Sequence, residues 1–251
     1  MNDLLRFAVE AHGGLDRWNA FTNLKAEVSI GGAIWDLKQQ PGLLRDKTFE
    51  IETHVEHLAI TPFPTPDRRC VFVPNRLVLE TFDGDVVETR DNPEAAFAGQ
   101  AFETPWDKFH VAYFAGEALW TYLTLPFLYT YPGFESEEIE PWDEDGERWR
   151  RLKVTFPDYV ASHTKTQITH FGADGLMRRH DYTVDILGGN TGANYSTNYR
   201  AFQGIMMPTT RRIYSYDKTT RNKVPEPLLV SVDLSELAFS RIATVSPLLA
   251  R

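Results

Sequence analysis

One long apolar stripe of helical period stands alone in this chain between two series of strand-like segments. Within Thr104–Leu125, the residues Trp106, Phe109, Tyr113, Gly116, Trp120 and Leu123 recur at three and four positions. Thr104-Pro105-Trp106-Asp107 offers a hydroxyl N-cap, a proline at the first helical position and a carboxylate in the first turn, and Pro126 closes the run. Phe114, Ala118, Thr121 and Leu125 widen the stripe, so burial over more than half of the helix circumference is predicted. Such a helix needs partners on nearly every side, and strand-forming segments are what the chain has to supply them.

Before the helix, strand signals lie at Ala26–Leu37, interrupted at Gly31-Gly32, within Leu44–Ile60, at Arg69–Val73, and at Arg76–Phe82 and Val86–Arg90 around Asp83-Gly84-Asp85. After it, an acidic loop over 132–147 leads to strands at Trp149–Phe156, His163–Phe171, Leu176–Leu187, Tyr195–Phe202, Met207–Tyr216 and Leu228–Leu234. Asp3–Ala11 reads as a short amphipathic helix capped by Asn2 or Asp3 and stopped by Gly13-Gly14. A further turn or two follows at Leu15–Phe21, and Pro93–Gly99 reads as a short helix or loop. The expectation is one α+β domain over 1–251. A large curved antiparallel sheet of about ten to twelve strands is closed by the long internal helix and the short N-terminal one.

Composition narrows the function classes. The net charge of −9 argues against nucleic-acid binding, which needs clustered Lys and Arg. A single cysteine, Cys70, excludes an intrachain disulfide and fits a reducing compartment. The opening Met1-Asn2-Asp3-Leu4-Leu5-Arg6 lacks a basic region followed by an apolar one, so the expected location is cytoplasmic. Residues 118–134 are the most apolar stretch but hold Pro126 and Pro132, so no transmembrane segment is expected.

The short N-terminal helix, the long meander, the single helical insertion and the return meander resemble the lipoprotein-carrier fold of the LolA and LolB type. That resemblance implies an open half-barrel of antiparallel strands closed by helices over an apolar cavity. Ala112-Tyr113-Phe114-Ala115-Gly116 through Pro126-Phe127, and Arg179–Asp185, also resemble a group of uncharacterised bacterial proteins. Carriers of this type act outside the cytoplasm behind a signal sequence, and no carrier motif matches here position by position. The resemblance therefore implies an apolar ligand site and no ligand residue.

Candidate site residues come from the strand over 174–187. At a period of two, Leu176, Arg178, His180, Tyr182, Val184 and Ile186 share one face, with a cation and an imidazole set among apolar groups. That pattern suits a wall of a partly apolar pocket. His180 is the candidate acid/base, Tyr182 a second proton donor and Arg178 an anion stabiliser; the plain alternative is a buried histidine bonded to backbone. Across the turn at Ala173–Gly175, His170 is expected to pair near Arg178 or His180. Arg179, Asp181 and Asp185 are expected to form a solvated charge ladder, with Arg211 or Arg212. On the helix, His110 and Glu117 lie seven residues apart, close to Tyr113 and Trp120, and are candidate polar groups of the cavity. Trp106, Tyr113 and Trp120 are candidate ligand contacts, with core packing as the alternative.

His54, Glu56 and His57 cannot converge from one strand, since His57 points opposite to the others, so no metal site is expected. Gly188-Gly189-Asn190-Thr191-Gly192 joins two strands and reads as a turn, and neither a nucleophile elbow nor a nucleotide fingerprint occurs, so no cofactor is implied. Cys70 reads as an inert buried thiol. The favoured function is binding of an apolar or amphipathic small molecule in a sheet–helix cavity. The alternative is a cofactor-free enzyme with His180 as acid/base, and a scaffold binding a protein partner has no specific residue signature.

Overall fold

The structure is a computed structural model and describes residues 1–241; residues 242–251 of the expected domain lie outside the described residues. Six strands precede the long helix: β1 (Asn23–Gly31), β2 (Lys47–Glu52), β3 (Leu58–Thr61), β4 (Arg68–Val73), β5 (Arg76–Thr81) and β6 (Val86–Asp91). Seven follow it: β7 (Glu135–Glu144), β8 (Glu147–Thr155), β9 (Thr166–Phe171), β10 (Met177–Val184), β11 (Asn190–Phe202), β12 (Ile205–Tyr214) and β13 (Val230–Ser240). Between them lies the helix, α4 (Lys108–Thr124), after α1 (Asp3–Ala11), α2 (Leu15–Asn19) and α3 (Ala33–Leu37).

All thirteen strands form one antiparallel sheet in the order β6-β5-β4-β3-β2-β1-β13-β12-β11-β10-β9-β8-β7. Each meander pairs with its own neighbours, and the β1–β13 ladder joins the two, with Asn23 opposite Ser240. The edge strands are therefore β6 and β7, and the segment that links them contains α4. Thirteen strands at about 4.8 Å spacing would span roughly 60 Å if flat. The 17-residue helix covers only about 25 Å. α4 nevertheless packs on β3, β4 and β5 and faces side chains of β1, β10, β12 and β13, so the sheet curls around it and α4 lies in the hollow. This is the half-barrel.

Two close approaches seat the helix. A Cβ on Gly116 would lie 2.5 Å from Phe72 Cγ, so glycine lets α4 rest directly on β4. Trp18 of α2 stacks at 4.4 Å on Phe127, just beyond the helix end, and is fully buried.

Several expectations are corrected. The N-cap of α4 is Asp107 rather than Thr104: its carboxylate accepts from His110 N at 3.0 Å, while His110 Nδ1 accepts from Asp107 N at 3.2 Å. The backbone of Trp106 is already committed to the end of α3, donating to Lys38 O and accepting from Gln40, so helix cannot begin earlier. After Gly31-Gly32 the chain forms α3 instead of a second strand. The acidic stretch of 132–147 is largely the edge strand β7, where Glu137 and Glu138 pair with Lys153 and Arg150 of β8. Charged edges of this kind discourage further strand pairing. Among the described residues no helix is long and apolar enough to cross a membrane.

Candidate functional site

A cavity of about 300 Å³ lies between α4 and the concave face of the central strands. The helix contributes Phe114, Ala115, Ala118, Leu119 and Tyr122, a stripe at three- and four-residue spacing whose two alanines leave the space open. Ile30, Val232, Ile213, Tyr182 and Val184 come from β1, β13, β12 and β10, and Trp35 from α3. Exposed Asn190 and Pro227 mark the mouth. A second hollow of about 420 Å³, beside His54 and Glu56, sits at the surface next to exposed Val55 and Tyr159.

One end of the cavity is polar. Glu117, 2 % exposed in the middle of α4, has His163 Nδ1 2.7 Å from its Oε1. The other ring nitrogen of His163, Nε2, faces the Tyr122 hydroxyl at 3.4 Å. The Tyr122 and Tyr182 hydroxyls are hydrogen-bonded to each other. Phe114 stacks on the His163 ring at 4.9 Å. Burial raises the Glu117 carboxyl, with His163 opposing, pushes Tyr122 up to about 12 and holds Tyr182 well above the usual phenol range. Both phenols are therefore donors at neutral pH. Tyr182 fits here because Gly192 lies opposite it on β11: a Cβ on Gly192 would come within 2.4 Å of the ring.

The expected constellation of Arg178, His180 and Tyr182 does not converge. The β9–β10 ladder shifts register between Met177 and Arg179, which pair with Phe171 and His170. Arg178 falls in that irregularity, lies over Gly172 and pairs with Asp174 (2.9 Å) and Glu147 (3.1 Å), away from the cavity. His180 keeps the concave face but sits behind Tyr182, fully buried, with Nε2 3.5 Å from the Tyr129 hydroxyl. The same irregularity sets His170 opposite Arg179, on the convex side, where Trp142 and Trp149 flank it.

Arg179 and Asp181 are likewise not a solvated ladder. Arg179 is fully buried and grips Asp181 through two bonds of 2.6 and 3.0 Å. It also binds Glu144 (2.8 Å), the Tyr195 hydroxyl (3.2 Å) and the Arg221 carbonyl (2.7 Å). Trp142, Tyr195 and Tyr216 surround its guanidinium. The strand β7 and the β12–β13 connection cover the face that alternation assigned to solvent. Asp185 lies in a short 3-10 turn after β10, Arg212 pairs with Asp233, and Arg211 is on the concave side with Ser196 and Tyr122.

On the helix, Glu117 does not itself line the cavity but holds His163, which does, and His110 stands apart from both. It lies about 10 Å back along the axis, where it caps the helix and packs on Phe97. Trp106, Tyr113 and Trp120 are core: Trp106 holds Gln100, Tyr113 packs on Phe72, and Trp120 donates to Glu52 O at 2.8 Å. The cavity-facing stripe is the flanking one. His54 bonds the Phe21 carbonyl, His57 faces Glu52, and Glu56 accepts from Ala161 N, so the three turn to separate partners. Among the described residues no group of three or more metal-capable side chains converges. Cys70 is buried, its thiol pushed up by that burial. Sequence reasoning missed His163 and Tyr122. The one available signal was Glu117 itself, since a carboxylate inside an apolar helix needs a partner.

An open antiparallel half-barrel closed by one helix over an apolar cavity defines a fold class, and comparison with solved structures gives that class its name. The chain is similar to a putative outer membrane lipoprotein-sorting protein domain from Vibrio parahaemolyticus, at 11% identity over 94% of this chain and 91% of that one, TM-score 0.52. It is similar also to a LolA superfamily protein from Nitrosomonas europaea, at 11% identity over 96% and 93%, TM-score 0.54. At such identity the likeness is one of fold: the chain is a LolA-like half-barrel. No family model and no curated protein matches it.

Proposed function

We propose that the half-barrel binds an apolar or amphipathic small molecule between α4 and the sheet. The observation that carries this reading is the cavity itself: about 300 Å³, walled by aliphatic and aromatic side chains, with polar groups gathered at one end. At about 30 Å³ per non-hydrogen atom it accommodates roughly ten such atoms without rearrangement. The fold likeness supports the reading, since one similar structure is named for lipoprotein sorting. We extend the proposal to a cytoplasmic location, which a lone buried cysteine supports.

The test is titration of solvent-extracted protein with 1-aminonaphthalene, a neutral two-ring fluorophore of that size, followed by displacement with linear alcohols. Saturable micromolar binding that disappears in Ala118→Trp, with the variant still folded, is the expected result. Failure of both probe and alcohols to bind overturns the proposal.

A further inference from the structure

Three adjacent strands each place a buried polar side chain one step deeper than a cavity-lining residue on the same concave face. His180 follows Tyr182 on β10, Asn194 follows Gly192 on β11, and Arg211 follows Ile213 on β12. The ladders set His180 opposite Asn194, and Ser196 opposite Arg211. His180 and Asn194 are fully buried and Arg211 is 3 % exposed.

This polar floor is incompletely satisfied. The Arg211 guanidinium donates to Ser196 Oγ (2.9 Å) and to the Tyr122 carbonyl (2.8 Å), and lies 4.9 Å from the centroid of the Tyr122 ring. Among the described residues no carboxylate comes within ion-pair distance of it, whereas buried Arg179 on the opposite face has both Asp181 and Glu144. The Nδ1 of His180 and both amide atoms of Asn194 make no well-formed hydrogen bond, the Asn194 amide lying only near the Tyr122 hydroxyl. A buried cation without a counter-charge, beside three orphaned polar atoms, is costly unless something anionic completes it. The Tyr122 and Tyr182 hydroxyls stand between this floor and the apolar cavity.

We propose that Arg211, Asn194 and His180, together with the two phenols, form a head-group subsite for a carboxylate, so that the cavity's ligand is an alkyl or aryl acid. This rests on the cavity being the binding site. With Tyr122 donating to Tyr182, the Tyr182 hydroxyl donates to the carboxylate. Arg211 supplies the counter-charge, and Asn194 Nδ2 with the Nδ1–H tautomer of His180 supplies further donors. An alcohol leaves the guanidinium uncompensated, and an ammonium head is repelled by it.

The experiment is displacement of 1-aminonaphthalene by decanoate, 1-decanol and decylamine at about pH 7, where the acid is ionised. Decanoate is expected to displace at roughly tenfold lower concentration than decanol, the scale of one charge-assisted hydrogen bond, with decylamine weakest. Arg211→Met removes the advantage of decanoate and leaves decanol unchanged. If that variant fails to fold, Asn194→Leu serves, with decanoate weakened and decanol unaffected. Equal displacement by decanoate and decanol overturns the subsite while cavity binding stands. Displacement by none of the three overturns the cavity reading as well.

Discussion

Ala118→Leu measures how the cavity is used. Ala118 is 5 % exposed, sits on the cavity-facing stripe of α4 and contributes only a methyl group to the wall. Leucine adds three non-hydrogen atoms, about 90 Å³ at roughly 30 Å³ each, to a space of about 300 Å³. It therefore takes the volume of about three ligand methylenes. At ~0.8 kcal/mol per methylene the longest bound alcohol loses about 2.4 kcal/mol, close to sixtyfold in affinity. In a series of linear alcohols read by probe displacement, the chain length of tightest binding shortens by about three carbons. Stability moves the other way, because the new side chain fills space, and Tm stays level or rises. An unchanged affinity and chain-length optimum in a folded variant would refute the reasoning, for it places the ligand elsewhere.

Two neighbouring arginines have opposite roles. Arg179→Met leaves Asp181 buried without its fork and is expected to cost about 3–5 kcal/mol in urea unfolding. Arg178→Met removes only partly exposed pairs and costs under about 1 kcal/mol, and similar costs for both would contradict the assignment. Gly192→Ala forces the Tyr182 ring to move, with an expected loss of about 1–3 kcal/mol and weaker ligand binding. Unaltered probe binding in that variant would count against Tyr182 as a wall residue. His12 is held neutral, its imidazole lowered by burial to about 4 from 6.5. The unfolded chain thus binds the proton first, and stability falls as pH drops from about 6.5 towards about 4. His12→Leu should flatten that fall by up to about 1.4 kcal/mol per pH unit, and parallel curves for variant and parent would disprove it.

Elements whose signals are local are read correctly from the sequence. The Asp83-Gly84-Asp85 hairpin, α1, the turn after Gly13 and the long helix before Pro126 all depend on contacts within a few residues. Their assembly into two meanders around one helix followed from their order alone. What alternation could not reveal was an irregular ladder: the shift between Met177 and Arg179 turns Arg178 aside and puts His170 on the other face. Nor could it show that a sheet face is covered, which is why Arg179 and Asp181 read as solvated. The Glu117–His163 pair joins residues 46 positions apart, and the orphaned Asn194 emerges only once β10, β11 and β12 lie side by side. The helix stripe was legible but its facing was not. Both stripes are buried, and the small side chains of Ala115 and Ala118 mark the one beside the open space.

The most direct test of the account is a crystal structure of the protein with bound 10-bromo-1-decanol, located by the anomalous signal of bromine. Alkyl density between Ala118 on α4 and Ile213 and Val232 on the sheet is the predicted result. Density confined to the hollow beside His54 and Tyr159, or a cavity that stays empty at saturating ligand, would contradict it.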